Sequence, residues 1–203
     1  MYSVPMALVD LIPVLLFGAA ALLLQRDLYT RLSKGAYALF CAGAIDVFMA
    51  GFLKAVYKLL YAAGVCDFER LNQLFFPLQA LGFVMAGIAL FTALIVHRGK
   101  NRMAAVAAPA VFSGTPVFVT LMVLGLLGMD AALIAEAHKR RQPLTIVLLV
   151  VSFVFSLAMG YLSSKDFSQS WMNWIAELVN CIGQGALLAG VWMLHKAGLA
   201  EAK

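Results

Sequence analysis

An all-α, polytopic membrane bundle is the fold class this sequence predicts, and three observations carry that expectation. Of its 203 residues, 64% are hydrophobic and 12% charged, against roughly 45–50% and 25% in an average soluble domain. The apolar residues fall in runs of about 20 or more, the length a helix rising about 1.5 Å per residue needs to cross roughly 30 Å of hydrocarbon. Apolar and polar positions do not alternate, so a β-barrel is not expected. In lipid, such runs satisfy their backbone groups only as helices.

The spans follow in order. The first covers about residues 6–24 and has no basic residue before it. It therefore lacks the n-region of a cleavable signal peptide and reads as a retained span. A basic connector, 25–34, leads to a span over 35–62, and a short polar loop, 67–70, to one over 71–96. Spans over 116–137, 143–163 and 169–195 complete the clear set, with polar connectors 138–142 and 163–169 between them. Residues 103–112 are apolar and Ala-rich but short, contain Pro109, and run into Ser113-Gly114-Thr115-Pro116, a turn followed by a helix-starting proline. This segment is either a seventh, short crossing or an interfacial helix.

Charge arbitrates, because cytoplasmic loops are enriched in Lys and Arg. If 103–115 crosses, Arg26, Arg31, Lys34, Arg98, Lys100, Arg102, Lys139, Arg140, Arg141, Lys196 and Lys203 share one side, 11 against Arg70 and Lys165 on the other. If it does not, the balance falls to 7 against 6. Seven spans are therefore expected, with six plus an interfacial helix as the alternative. The N-terminus is then outside and the C-terminus inside, in the plasma membrane. A weak repeat agrees: Asp67-Phe68 leads to a span closing on His97-Arg98, and Asp166-Phe167 to one closing on His195-Lys196. The expectation is a single transmembrane domain with halves 6–97 and 116–196 around a linker, 98–115, in a 3+1+3 order.

Polar residues inside the spans are the candidates for function. In the last span Asn173, Glu177, Asn180 and Gln184 recur at spacings of 4, 3 and 4. At about 100° per residue they form one polar stripe on an apolar helix. Intramembrane acids usually face a bundle interior or a water-filled cavity. Asp46 lies near the middle of the second span, and Lys54 comes out at the depth of Glu177, as do Asp10 and Gln79. The expected ligand-binding set is Asp10, Asp46, Lys54, Gln79, Asn173, Glu177, Asn180 and Gln184, with Asp10, Lys54, Gln79 and Glu177 converging on an outward-facing polar cavity. The competing reading makes the same groups interhelical glue. Lys58 reads as snorkelling to the interface, and Glu136 with Arg140 as an i,i+4 helix-end pair. Asp130, deeper in its span, could join a proton path with Asp46. The pairs Gly51/Ala55, Gly82/Ala86 and Ala186/Gly190 read as close helix packing, and Tyr161, Trp171 and Trp174 as interfacial anchors.

Function follows only in class. The net charge of +5 sits mostly at span ends, beside His97, His138 and His195, which points to anionic headgroups and not to nucleic acid. Cys41, Cys66 and Cys181 lack metal-ligand or CxxC spacing. No HExxH, GxSxG or phosphate-binding glycine loop occurs, so neither a catalytic constellation nor a metal site is visible, no cofactor is indicated, and an enzyme is the less favoured class. The leading expectation is a small membrane transporter, or the substrate-binding membrane subunit of one, for a small polar or charged solute. The alternatives are a non-catalytic membrane sensor or assembly partner, and an intramembrane lipid-modifying enzyme using Asp46, Asp130 or Glu177. The expected partners are the lipid bilayer, a solute, and a partner subunit or second copy of the chain.

Overall fold

The computed structural model describes residues 3–96, 115–162 and 170–201, and every regular element within them is helical. In chain order these are α1 (Val4–Val9), α2 (Leu11–Leu28), α3 (Lys34–Ala62), α4 (Arg70–Gln73), α5 (Phe75–Phe91) with a π-helical turn Thr92–Val96, α6 (Thr115–Lys139), α7 (Pro143–Leu162) and α8 (Ser170–Lys196). Among the described residues six stretches are long and apolar enough to cross a membrane: Val4–Leu28, Lys34–Ala62, Arg70–Val96, Pro116–Lys139, Pro143–Leu162 and Trp171–Lys196. These mark the chain as an integral membrane protein. The expected seventh segment, 103–115, lies outside the described residues except for Thr115, which begins α6.

Two prolines account for the two breaks within spans. Pro13 has no N–H for the carbonyl of Val9, the last residue of α1, and Pro77 has none for Gln73, the last of α4. The first break leaves Asp10 at the junction of α1 and α2. The first helical stretch also outruns its expected end near residue 24, because the polar turn Gln25–Leu28 has a tertiary partner: Asp27, 1% exposed, lies 2.9 Å from His195 Nδ1. Helix ends are closed by left-handed residues. At Gly64 (φ 68°), Arg141 (φ 55°) and Gly198 (φ 78°) the next residue's N–H reaches back five positions, to Leu60, Ala137 and Leu194 respectively.

The main helices form a ring in sequence order, each packing on its neighbours, α2 on α3, α3 on α5, α5 on α6, α6 on α7, α7 on α8, and α8 back on α2. Gly43 faces Gly82 and Ala86 across the antiparallel α3–α5 seam, where a Cβ on Gly43 would stand 2.5 Å from the Gly82 carbonyl. The α5–α6 seam is tighter: a Cβ on Gly87 would meet the Gly125 carbonyl at 2.1 Å. This seam is parallel, since Phe83 meets Gly125 while Leu94 O accepts from Lys139 Nζ at 3.2 Å. Asp10 beside Glu177 and Asp27 beside His195, through pairings given below, make α2 and α8 parallel as well. Exchanging α2, α3 and α5 for α6, α7 and α8 maps the ring onto itself.

The ends of α2, α5, α6 and α8 therefore share one face, which carries Arg26, Arg31, Lys34, Lys139, Arg140, Arg141 and Lys196 and is called the basic face. The apolar core occupies the half of the bundle nearest it, built from Phe17, Leu24, Leu28, Phe40, Leu90, Leu94, Met129, Leu133, Leu149, Val191 and Leu194. Buried charge is thereby left to the opposite half and to the basic rim, with Asp130 between them.

Candidate functional site

The opposite half holds the principal ion network. Lys58, in the penultimate turn of α3, places Nζ 2.7 Å from Asp10 Oδ2 and 3.0 Å from Glu177 Oε1, and donates a hydrogen bond to the latter. All three residues are buried, at 5%, 7% and 4% exposure for Lys58, Asp10 and Glu177. Moving such charges out of water costs several kcal/mol per ion, which only close pairing offsets. The local sequence provides that pairing: the Pro13 break positions Asp10, and Glu177 lies two turns into α8. Lys54, one turn earlier on α3, lies instead 3.9 Å from the centre of the Phe75 ring, a cation–π contact.

The structure thus brings Asp10 and Glu177 together through Lys58, where the sequence reading had chosen Lys54. Snorkelling fails for Lys58 because two carboxylates, and not the interface, receive its ammonium. Lys54 and Gln79 are half-buried. Asn173 is buried on the same helix as Glu177, while Asn180 and Gln184 are half-buried below it. Glu177 also hydrogen-bonds with the side chain of Asp10, whereas Gln184 Oε1 is buried and accepts no hydrogen bond among the described residues. Asp46 stands apart: it lies 12 positions before Lys58 on α3, about 18 Å along the helix, and is half-buried.

A second network closes the basic face. Glu136, 2% exposed, receives Arg31 Nη1 at 3.0 Å and the Lys139 ammonium, with Arg140 Nε at 3.7 Å. Its role exceeds the expected i,i+4 pair, because Arg31 comes from the loop after α2. Arg140 donates to the carbonyls of Ala197 (2.9 Å), Gly198 (2.7 Å) and Glu201 (2.8 Å), and Arg31 to that of Leu199 (3.0 Å). These bonds satisfy the orphan carbonyls at and beyond the end of α8. His195 Nδ1 meets both oxygens of Asp27, at 2.9 and 3.0 Å. None of these long-range pairings left a local spacing by which the sequence could reveal it.

Two cavities lie away from the Lys58 network. One of about 780 Å³ runs along the α2–α8 seam between Ala19, Leu22, Leu23, Gly185, Leu188, Ala189, Trp192 and Met193, with Arg26 its one charged lining residue. Leu22 and Trp192 are exposed on the bundle's outer surface, so this groove faces lipid. The other, about 430 Å³, lies between α6 and α7 and is lined by Asp130 and His138 among apolar residues. Neither is lined by Lys54 or Glu177. No group of three or more His, Cys, Asp or Glu placed to hold a metal occurs among the described residues.

Compared with known protein families, curated proteins and solved structures, the chain matches none of them.

Proposed function

We propose that the chain is a small membrane carrier for a small polar solute that donates hydrogen bonds. The observation that carries this reading is that ion networks bridge the same two groups of helices at both ends of the bundle. Near the opposite face Asp10 and Lys58 of the first group meet Glu177 of the second; at the basic face Asp27 and Arg31 meet His195 and Glu136. Such paired closures are what a carrier needs to open one side at a time. The stripe between them supplies Asn180 and Gln184, and the buried acceptor Gln184 Oε1, which has no hydrogen-bond partner among the described residues, suits a donor-bearing solute.

The parallel course of α5 and α6 supports seven crossings, since Val96 lies toward the basic face and Thr115 begins α6 toward the opposite one. The exchange symmetry of the ring supports two like-oriented halves, 6–97 and 116–196. The concentration of Arg and Lys at the basic face supports a cytoplasmic position for it, with the N-terminus outside and the C-terminus inside.

One observation favours a second reading, a non-catalytic membrane sensor or assembly partner. The Lys58 ammonium fills the space between its carboxylates, as buried structural glue would. An accessibility experiment separates the two. In a chain with its native cysteines replaced, Asn180→Cys is challenged with a membrane-impermeant maleimide from each side. A carrier gives labelling from outside when Glu177→Gln is added and from inside when Arg31→Ala is added. Absence of labelling from both sides in all folded backgrounds removes the carrier reading.

A further inference from the structure

Among the described residues, Asp130 is the buried charge-bearing group that neither network uses. It lies in the sixteenth position of the 25-residue α6, 1% exposed, and neither of its carboxyl oxygens has a hydrogen-bond partner among the described residues. Its surroundings are apolar. The cavity it lines is walled by Leu127, Ala131 and Ile134 of α6 and by Val150 and Phe153 of α7, with His138 the one other titratable lining residue. No charged side chain of α5, α7 or α8 forms an ion pair with it among the described residues, and α6 meets α5 there through glycine.

A carboxylate left in hydrocarbon without a cation or donor is costly by about 2.5–3.5 kcal/mol on insertion scales, and more when it is also deprived of hydrogen bonds. Structural glue does not account for it, since it glues nothing. A carboxyl that takes up and gives back a proton does, because its neutral form suits the apolar cavity, which is lined by both Asp130 and His138. His138 lies eight residues, about 12 Å, further along α6, at the end where Lys139 and Arg140 mark the basic face.

We propose that Asp130 is a proton-binding site, loaded and emptied through the α6–α7 cavity, with His138 at its basic-face end. The proposal goes beyond the carrier reading and does not depend on it, since it concerns a proton and a different pair of helices from the Lys58 network.

The test is covalent labelling of the full-length, reconstituted protein with dicyclohexylcarbodiimide, an apolar reagent. It takes the proton of a neutral carboxylic acid, is attacked by the resulting carboxylate, and rearranges to a stable N-acylurea without a leaving group. Peptide mass spectrometry is expected to find the adduct on Asp130, in at least tenfold excess over Glu136, with labelling that falls as the buffer pH rises. Asp130→Asn is expected to abolish it. Should the asparagine variant not fold, the pH profile of the unmodified chain alone decides. No adduct on Asp130 in the folded protein, or labelling indifferent to pH, overturns the proposal. Failure of the carrier reading, tested at Asn180, leaves this outcome unaffected.

Discussion

Lys58 donates a 3.0 Å hydrogen bond to Glu177 across 119 positions of sequence, tying the end of α3 farthest from the basic face to the early turns of α8. Because Asp10 stands 2.7 Å from the same ammonium, a single cation is shared between two acids from distant parts of the chain.

Lys58→Met should therefore be among the most damaging single substitutions in the chain. Removing one member of a buried ion network leaves the others uncompensated, at about 3–5 kcal/mol. Lys54→Met removes a cation–π contact that is worth about 0.5–2 kcal/mol. Thermal unfolding in detergent should rank the two in that order. Adding Asp10→Asn and Glu177→Gln to Lys58→Met should recover part of the loss, since no unpaired charge then remains. Equal damage from Lys54→Met would show that the network is centred elsewhere.

The α5–α6 seam makes a steric prediction. Gly87→Ala would put a Cβ 2.1 Å from a carbonyl of the facing backbone, whereas at Gly128 the nearest atom is 3.4 Å away. Gly87→Ala should cost about 1–3 kcal/mol or more by forcing the helices apart, and Gly128→Ala should be near neutral. Melting temperatures of the two variants check this directly.

The helices were legible because each carries its own apolar length, a local property that hydrocarbon reads without tertiary help. The stripe Asn173, Glu177, Asn180 and Gln184 was legible for a similar reason, since periodicity within one helix marks a face. What that face meets was not. Depth bookkeeping put Lys54 level with Glu177, while Lys58, one turn away, makes the pair, because the choice depends on rotation of α3 and on the Pro13 break that presents Asp10. The basic-face pairings of Asp27 with His195 and of Arg31 with Glu136 join residues more than 100 positions apart. Sequence spacing carries no trace of such contacts.

Arg140 offers a third prediction. Its guanidinium holds the carbonyls of Ala197, Gly198 and Glu201, and Leu199 is fully buried beneath them. Arg140→Ala should free this tail, and limited proteolysis from the basic face should then trim the chain at least tenfold faster at residues 197–201. Arg140→Lys should rescue little, because a point-charge ammonium cannot span the carbonyls that the planar fork reaches. Unchanged proteolysis in Arg140→Ala would mean that Leu199 burial alone secures the tail.

The last prediction concerns the course of the chain. Arg31 meets Glu136, and Lys139 meets the carbonyl of Leu94, so the ends of α2, α5 and α6 lie at one face. Residue 142, in the turn before α7, must then share a side of the membrane with residue 30, in the loop after α2, while Cys66, exposed beyond the end of α3, lies on the other. Single-cysteine chains make this measurable: one retaining Cys66, one bearing Thr30→Cys and one bearing Gln142→Cys. In oriented vesicles an impermeant maleimide should label Cys66 from outside and the other two only from inside. Six crossings reverse the outcome for Gln142→Cys alone, since everything after residue 115 then inverts. Labelling of that site from outside would contradict the parallel α5–α6 seam, and with it the exchange symmetry on which the carrier reading draws.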